Sequence, residues 1–243
     1  MTGSVGDAAV IACAELFRGD GAILASPMSP VARLGAMLAR ATFAPELVLT
    51  DGTSRVLDAD GAPTAWLPFG RVFDLVWSGR RHVIMGATQV DQHGNTNISC
   101  LGDHARPKVQ LLGARGAPGN TVCHPTSYFV PDHSPKVFVE QVDFISGVGP
   151  GRGAVEIRGV VTNLAVFDLR GPGGVLRLVS VHPGVTEDDV RAATGCPFVE
   201  VEGGAPTSRL PTAEERAWLD RWDADGAIRA SVKGPAAAGG ARA

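Results

Sequence analysis

The sequence predicts an α/β fold built on an open, mostly parallel sheet that is flanked by helices and has an antiparallel portion. Helical and strand patterns alternate in the first half of the chain, which is typical of parallel sheets. Strand patterns cluster in the second half, and the 31 glycines among 243 residues indicate many tight turns. We expect one domain over residues 1–230, followed by a flexible tail rich in Ala and Gly over residues 231–243.

The first half supplies alternating elements. In chain order the sequence predicts a helix over 7–18, a strand over 22–24, a helix over 29–41, a strand over 46–49, a helix or irregular stretch over 72–78, and a strand over 82–85. Asp7 is a candidate N-cap of the first helix, and Ser29 caps the second, with Pro30 in its first turn. The run 46–49 is almost wholly apolar, as in strands that are buried on both faces.

The second half is richer in strands. The sequence predicts a strand–turn–strand over 86–97, a strand over 108–112, a glycine-rich loop over 113–120, a segment 121–129 that starts as a helix, strands over 136–142, 155–162, 164–169 and 175–182, and helices over 186–194 and 212–222. Thr186 and Thr212 are the N-caps of these last helices, because acidic residues that favour a helix N-terminus follow both of them.

Composition excludes several classes of function. The net charge is -3, whereas nucleic-acid and membrane-surface partners call for a basic face. No apolar run is long enough to span a membrane, and the segment 8–17 lacks the basic flank of a signal peptide. The four cysteines and six histidines show no spacing typical of a metal site. We therefore expect a cytoplasmic protein with reduced thiols and no bound metal.

The segment 86–97 is the first candidate for a binding site. Gly86 and Ala87 are small enough to admit a ligand or another backbone, and Gln89 and Asn97 are polar candidates for the wall of a pocket. The cluster of Asp, Gly and Asn in its middle is also the composition of a hairpin turn. From these residues alone the hairpin turn is the favoured interpretation.

The loop 113–120 is the second candidate. A glycine-rich loop that follows a buried strand lies where open α/β sheets bind ligands. Backbone N–H groups at Gly119 and the amide of Asn120 suit an anion or a developing oxyanion, although an ordinary loop fits equally well. Cys123 and His124 follow at once, and the imidazole of His124 is a candidate for the pocket wall. Adjacency in sequence does not make them a catalytic pair.

Four segments together resemble the β subunits of family I CoA-transferases of the glutaconate type. They are 86–97 (GATQVDQHGNTN), 113–120, 161–168 (VTNLAVFD) and 182–195, and they occur in the order of that family. The resemblance implies a CoA-transferase-like fold, an acyl-CoA substrate, and a CoA-transferase-like α subunit as partner in an α2β2 heterotetramer. It implies no cofactor beyond the coenzyme A of the substrate.

One departure from the family concerns its catalytic residue. The transferases carry a glutamate that attacks the acyl-CoA, in a turn after an early buried strand. The equivalent turn here is Thr50-Asp51-Gly52, which keeps the glycine and lacks the glutamate. Asp51 is displaced by one residue and is shorter by one methylene, which is enough to spoil an attack geometry. We therefore expect no catalytic residue in this chain.

Within the family, the chain resembles the β subunits of hydrolases that open a ring of a cyclic β-keto acyl-CoA in steroid catabolism. In those enzymes the essential glutamate belongs to the α subunit. The resemblance implies that this chain shapes the pocket, with Gly119 and Asn120 as donors near the reacting centre and Gln89, Asn97 and His124 in the wall. Two alternatives remain open, a CoA-transferase that uses Asp51 and a subunit that only stabilises its partner.

Overall fold

A nine-stranded mixed sheet organises the molecule in a computed structural model that describes residues 4–78 and 80–235. Its strands, in chain order, are β1 Leu24–Pro27, β2 Val48–Thr50, β3 Arg55–Leu57, β4 Pro63–Trp66, β5 Arg81–Met85, β10 Pro125–Val130, β11 Glu156–Thr162, β12 Ala165–Asp168 and β13 Arg177–Val181. Four short strands stand outside it: β6 Gln89–Val90, β7 Thr96–Asn97, β8 Cys100–Leu101 and β9 Val109–Gln110. The described helices are α1 Val5–Glu15, α2 Pro30–Thr42, α3 Phe69–Ser78, α4 Ala117–Cys123, α5 Glu187–Ala193, α6 Ala213–Trp222 and α7 Ala227–Ala230, with a 3-10 turn at Pro150–Arg152.

The sheet has a parallel centre and antiparallel margins. Its strand order is β13-β12-β11-β10-β5-β1-β2-β3-β4, and the five strands from β11 to β2 run parallel. β3 and β4 form a hairpin beyond β2, and β12 and β13 add an antiparallel pair beyond β11. The predicted fold class, a mostly parallel sheet with an antiparallel portion, is confirmed.

Two apolar cores lie on opposite faces of this sheet. Side chains alternate along each strand, so Ile84 packs into the core with α1 and α2, whereas Val83 packs into the core on the other face. In β10 Phe129 faces the first core and Tyr128 the second. The central strands are therefore buried on both faces, as their apolar composition predicts.

The helices α1 and α2 cross closely because of a glycine. A Cβ added at Gly35 of α2 would lie 2.8 Å from the Cβ of Cys13 in α1, so only glycine permits this approach. The predicted caps Ser29, Thr186 and Thr212 each accept a backbone N–H, which confirms them. Asp7 was wrong as an N-cap.

The residue that caps α1 is Ser4, and Asp7 completes its capping box from the third helical position. A carboxylate in the first turn suits either position, so composition does not distinguish them.

The segment 121–129 starts as a helix, as predicted, with the end of α4, and most of its remainder is β10. Two predicted strands differ from the structure. The segment 136–142 forms an isolated bridge between Phe138 and Val90 instead of a strand. The predicted strand 108–112 shrinks to β9, which is exposed and pairs only with β8. The loop 113–120 consequently does not follow a buried strand, and its second half is the start of α4.

The antiparallel hairpin of β3 and β4 lies in a stretch for which the sequence predicts no helix or strand. The strand–turn–strand over 86–97 is confirmed, since β6 pairs with β7 around a turn closed by Asp91.

The C-terminal segment continues the fold beyond residue 230. Val232 is buried in the core beside α1 and α2, and the Lys233 carbonyl accepts a hydrogen bond from Asn163 Nδ2 at 2.8 Å. Residues 236–243 of the predicted tail lie outside the described residues, and the division into a domain and a tail stays a prediction. Over the described ranges, no helix combines the length and apolar character needed to cross a membrane.

Candidate active site

A cavity of about 630 Å³ opens at the carboxyl ends of β1, β2 and β5. Each strand contributes the residues that follow it, and α4 closes the opposite side. The lining includes Met28 after β1, Asp51 and Gly52 after β2, Met85, Gly86 and Ala87 from β5 onward, and Arg115 and Asn120 from the α4 segment. This is the edge at which open parallel sheets bind ligands.

Asn120 is the polar side chain that the structure fixes most firmly in this wall. It is 1% exposed, its Oδ1 accepts a hydrogen bond of 3.0 Å from Arg81 Nη1, and its Nδ2 lies 3.3 Å from Met85 Sδ. Because a guanidinium donates and does not accept, Oδ1 must face Arg81, and the NH2 group faces Met85 on the cavity side. Asn120 therefore offers the cavity an oriented donor.

Arg81 is a buried cation behind that wall. It begins β5, is 7% exposed, and donates from Nε to Ser26 Oγ at 2.8 Å as well as to Asn120. Burial lowers the pKa of Arg81 to about 10, so the side chain stays charged at neutral pH. Its charge raises the electrostatic potential beside Asn120, which favours negative charge in that part of the cavity.

One carboxylate oxygen of Asp51 accepts hydrogen bonds from the backbone of its own turn. Oδ1 accepts the backbone N–H groups of Thr53, Ser54 and Arg55 at 2.8, 2.9 and 3.0 Å. Burial alone would raise the pKa of Asp51, but these backbone hydrogen bonds outweigh it, so the pKa lies below its ordinary value. Asp51 is thus ionised and held as the cap of a turn.

Thr50 faces neighbouring strands and does not line the cavity. It is 4% exposed, donates from Oγ1 to the Ala25 carbonyl at 2.8 Å, and accepts the Gly52 N–H at 3.2 Å. Gly52 has a φ of +79°, and a Cβ there would lie 2.2 Å from the Pro27 carbonyl oxygen. This turn therefore requires glycine.

Gln89 and Asn97 belong to an internal network. Asn97 is fully buried and donates from Nδ2 to Gln89 Oε1 at 2.7 Å and to the Cys100 carbonyl at 2.6 Å. Gln89 Oε1 also accepts the Asp143 N–H at 3.0 Å, and its Nε2 donates to Asp143 Oδ2 at 3.2 Å. These contacts join β6 and β7 to the Asp143 loop. The cavity lining contains neither side chain.

Gly119 and His124 do not belong to the cavity lining. A Cβ at Gly119 would approach Val76 Cγ1 of α3 to 2.9 Å, so this glycine sets the contact between the two helices. His124 is 1% exposed, and its Nε2 has no hydrogen-bond partner among the described residues. Burial, followed in size by the charge of Arg81, lowers the pKa of His124. A hydrogen bond with the Leu75 backbone acts in the opposite direction and does not outweigh them.

The structure thus brings one of the five predicted side chains, Asn120, into the cavity, and ligand contacts at Gly119, Gln89, Asn97 and His124 stay predictions. Met28 in the lining and Arg81 behind it were not predicted from the sequence, and Arg115 was included only as part of the loop 113–120. The available signal for Met28 was its position at the end of a buried strand. Over the described ranges, no three His, Cys, Asp or Glu side chains are grouped so as to hold a metal ion.

Comparison with known proteins identifies the family to which this chain belongs. The IpdB subunit of the cholesterol ring-cleaving hydrolase of Mycobacterium tuberculosis is 50% identical over 223 residues, which cover 84% of this chain and 88% of that protein. The chain belongs to the IpdB family. The Rhodococcus jostii IpdAB crystal structure superposes with a TM-score of 0.89 at 42% identity, covering 96% of this chain and 100% of the matched chain.

More distant structures confirm the fold. Glutaconate coenzyme A-transferase from Acidaminococcus fermentans superposes with a TM-score of 0.77 at 18% identity, covering 93% of this chain and 97% of the matched chain. The predicted CoA-transferase-like fold and the resemblance to this family are therefore both confirmed. A scan of protein-family models found no match.

Proposed function

We propose that this chain is the β subunit of a heteromeric hydrolase that opens a ring of a cyclic β-keto acyl-CoA in steroid catabolism, together with a CoA-transferase-like α subunit. The observation that carries the proposal is the cavity at the carboxyl ends of β1, β2 and β5, which has an oriented amide donor and whose lining carboxylate, Asp51, caps its own turn through Oδ1. The M. tuberculosis relative is a cholesterol ring-cleaving hydrolase subunit, which supports the same activity.

The reaction is a hydrolysis in which water cleaves a C–C bond. A carboxylate of the α subunit takes a proton from water, and the hydroxide bonds to the ring ketone carbon. The bond from that carbon to the α-carbon of the thioester then breaks, and its electron pair is held as a thioester enolate. The enolate takes up the proton, which leaves a carboxylic acid and an intact acyl-CoA.

This chain contributes the donor that stabilises negative charge. The Asn120 NH2 group, with the Arg81 charge behind it, suits an enolate or oxyanion at the cavity wall. Gly86 and Ala87 leave room for a bulky ring system, and Met28 and Met85 supply apolar, adaptable surface. No cofactor is needed besides the coenzyme A of the substrate.

The assembly we propose is an α2β2 heterotetramer in the cytoplasm. The relative IpdB is a subunit of a hydrolase, and this chain resembles a solved structure of IpdAB. The four cysteines are free thiols, which suits a reducing compartment.

A trapping experiment separates this function from CoA transfer. The αβ complex is incubated with acyl-CoA and borohydride, and the mass of this chain is then measured. We expect no covalent adduct, and ring opening that is lost when the α subunit's catalytic glutamate is changed to alanine. An adduct on this chain that disappears in Asp51→Asn would instead establish the transferase mechanism.

Kinetics of the complex separate the proposed function from a purely stabilising role. Asn120→Ala removes the amide donor, and we expect kcat to fall about 100-fold, as for other oxyanion donors. Val122 is exposed on the same helix outside the cavity lining, so Val122→Ala is the matched control. Equal kcat values for the wild type and both variants in an intact complex would favour a scaffold.

A further inference from the structure

Arg81 lacks the partner that a buried arginine normally has. The half-buried Arg158 pairs with Asp20, and Arg229 pairs with Asp223. The hydrogen bonds of Arg81 go to neutral acceptors, the Ser26 hydroxyl and the Asn120 amide oxygen, and Arg81 forms no ion pair within the described ranges. A buried charge without a counter-charge is costly, so the arrangement calls for an explanation outside the folding of this chain.

The neutral partner at position 120 is the second unusual feature. An aspartate there would be nearly isosteric and would neutralise Arg81 across the 3.0 Å contact. It would also replace the Nδ2 donor, 3.3 Å from Met85 Sδ, by an anionic oxygen. Asparagine keeps both the positive charge and the donor, and each of these favours an anion in the cavity.

We propose that Arg81 is a positioning residue for the ring-opening reaction, which fixes the Asn120 amide with its NH2 group toward the cavity and keeps an uncompensated positive charge behind it. The proposal rests on the function assigned above. Its chemical consequence is that the substrate itself, as thioester enolate or oxyanion, provides the counter-charge that Arg81 lacks in the free protein.

Ser26 fixes the guanidinium from the other side. Its hydroxyl accepts from Arg81 Nε at 2.8 Å, and it lies 3.4 Å from Thr50 Oγ1, whose proton goes to the Ala25 carbonyl. Arg81 is therefore held between β1 and α4.

The decisive variant is Asn120→Asp in the purified αβ complex. We expect its melting temperature to rise by about 2–4 °C, since Arg81 gains a carboxylate partner, while kcat falls at least about 100-fold. A melting temperature that is unchanged or lower would overturn the proposal, because Arg81 would then not be an uncompensated charge. This measurement needs no catalytic activity.

A double-mutant cycle tests whether Arg81 acts through Asn120. We expect Arg81→Met to lower kcat about 30-fold or more in the wild-type background and less than about 3-fold in the Asn120→Ala background, with KM changed little. Losses that multiply in the double variant would overturn the positioning role. Arg81→Lys restores the charge, and we expect it to recover part of kcat.

Control measurements distinguish a failure of this inference from a failure of the proposed function. Arg158→Met removes a half-buried arginine from the other face of the sheet, and we expect a lower melting temperature with an unchanged kcat per folded complex. If the Arg81→Met complex does not assemble, the melting temperature and kcat of Asn120→Asp decide. A wild-type complex with no ring opening would refute the proposed function, whereas a normal wild-type rate with a failed Asn120→Asp result would refute the inference alone.

Discussion

Filling the cavity at Gly86 is the most direct test that the cavity receives the acyl group. A Cβ added at Gly86 would meet only the Phe129 carbonyl oxygen, at 3.9 Å, which is an ordinary contact. The backbone there does not adopt a positive φ, so larger residues are not strained. The variant Gly86→Val therefore places three carbon atoms at the cavity wall without disturbing the fold.

The magnitude follows from the fit of substrate to pocket. A misfit of one methylene group in an apolar pocket costs about 1–3 kcal/mol, or about 10–200-fold in kcat/KM. We expect Gly86→Ala to lower kcat/KM about 10-fold and Gly86→Val about 100-fold. Because the side chain at 86 contacts only cavity and carbonyl, the free energy of unfolding should change by less than about 0.5 kcal/mol.

The assay is ring opening by the purified αβ complex, with the melting temperature of each variant measured alongside. Gly151→Val is the matched control, since nothing lies within 4 Å of a Cβ at Gly151 and that residue does not line the cavity. Full kcat/KM in Gly86→Val with an intact complex would show that the acyl group binds elsewhere.

Further predictions concern stability. Burial lowers the pKa of His133 to about 3 and that of His182 to about 4, so both are neutral in the fold and gain protons on unfolding below pH 6.5. The contribution of these two histidines to the free energy of unfolding is complete above pH 6.5 and is lost as the pH falls. At pH 5.5 the loss is about 1.4 kcal/mol for each histidine. Urea unfolding of the complex should show this slope reduced in His182→Gln and unchanged in the exposed-site control His93→Gln. The opposite pattern would contradict the assignment. Arg115 has a φ of +46° in the cavity lining, and Arg115→Gly should raise the melting temperature by about 2–4 °C while kcat/KM falls; a lower melting temperature would show that the backbone is not strained. Gly52→Ala should destabilise the complex by more than about 2 kcal/mol, because its Cβ would overlap the Pro27 carbonyl, and a wild-type unfolding midpoint would disprove the close approach.

Local chemistry explains which elements were predictable. Caps such as Thr186 and Thr212 act within three residues, so sequence alone identifies them. The strand β10 was missed because Thr126 and Ser127 are polar and yet fully buried. The Thr126 hydroxyl donates to the His124 carbonyl nearby, but the partner of the Ser127 hydroxyl is His82 Nε2, 45 residues away in sequence. A linear pattern does not contain that information.

Only the site residue that lies in a recognisable sequence motif was predictable. Asn120 was found through the family resemblance, and it does line the cavity. Met28, Met85 and Arg81 meet it only because β1 and β5 are neighbours in the sheet and α4 packs beside them. The wrong prediction of 108–112 as a buried strand shows the same limit, since nothing local distinguishes a strand of the main sheet from a short exposed pair.

Residue type alone would have selected the wrong site on β5. His82 lies beside Arg81 in sequence and bridges Asp20 Oδ2 at 2.7 Å and Ser127 Oγ at 2.9 Å, the residue types of a serine nucleophile, base and orienting acid. Yet His82 and Ser127 are fully buried on the α1 and α2 side, and neither lines the candidate cavity. Alternation along the strand sends Arg81 to the opposite face, toward Asn120 and the cavity. A shift of one residue on β5 therefore separates a structural network from the candidate site, and access to solvent decides which of the two can act on a substrate.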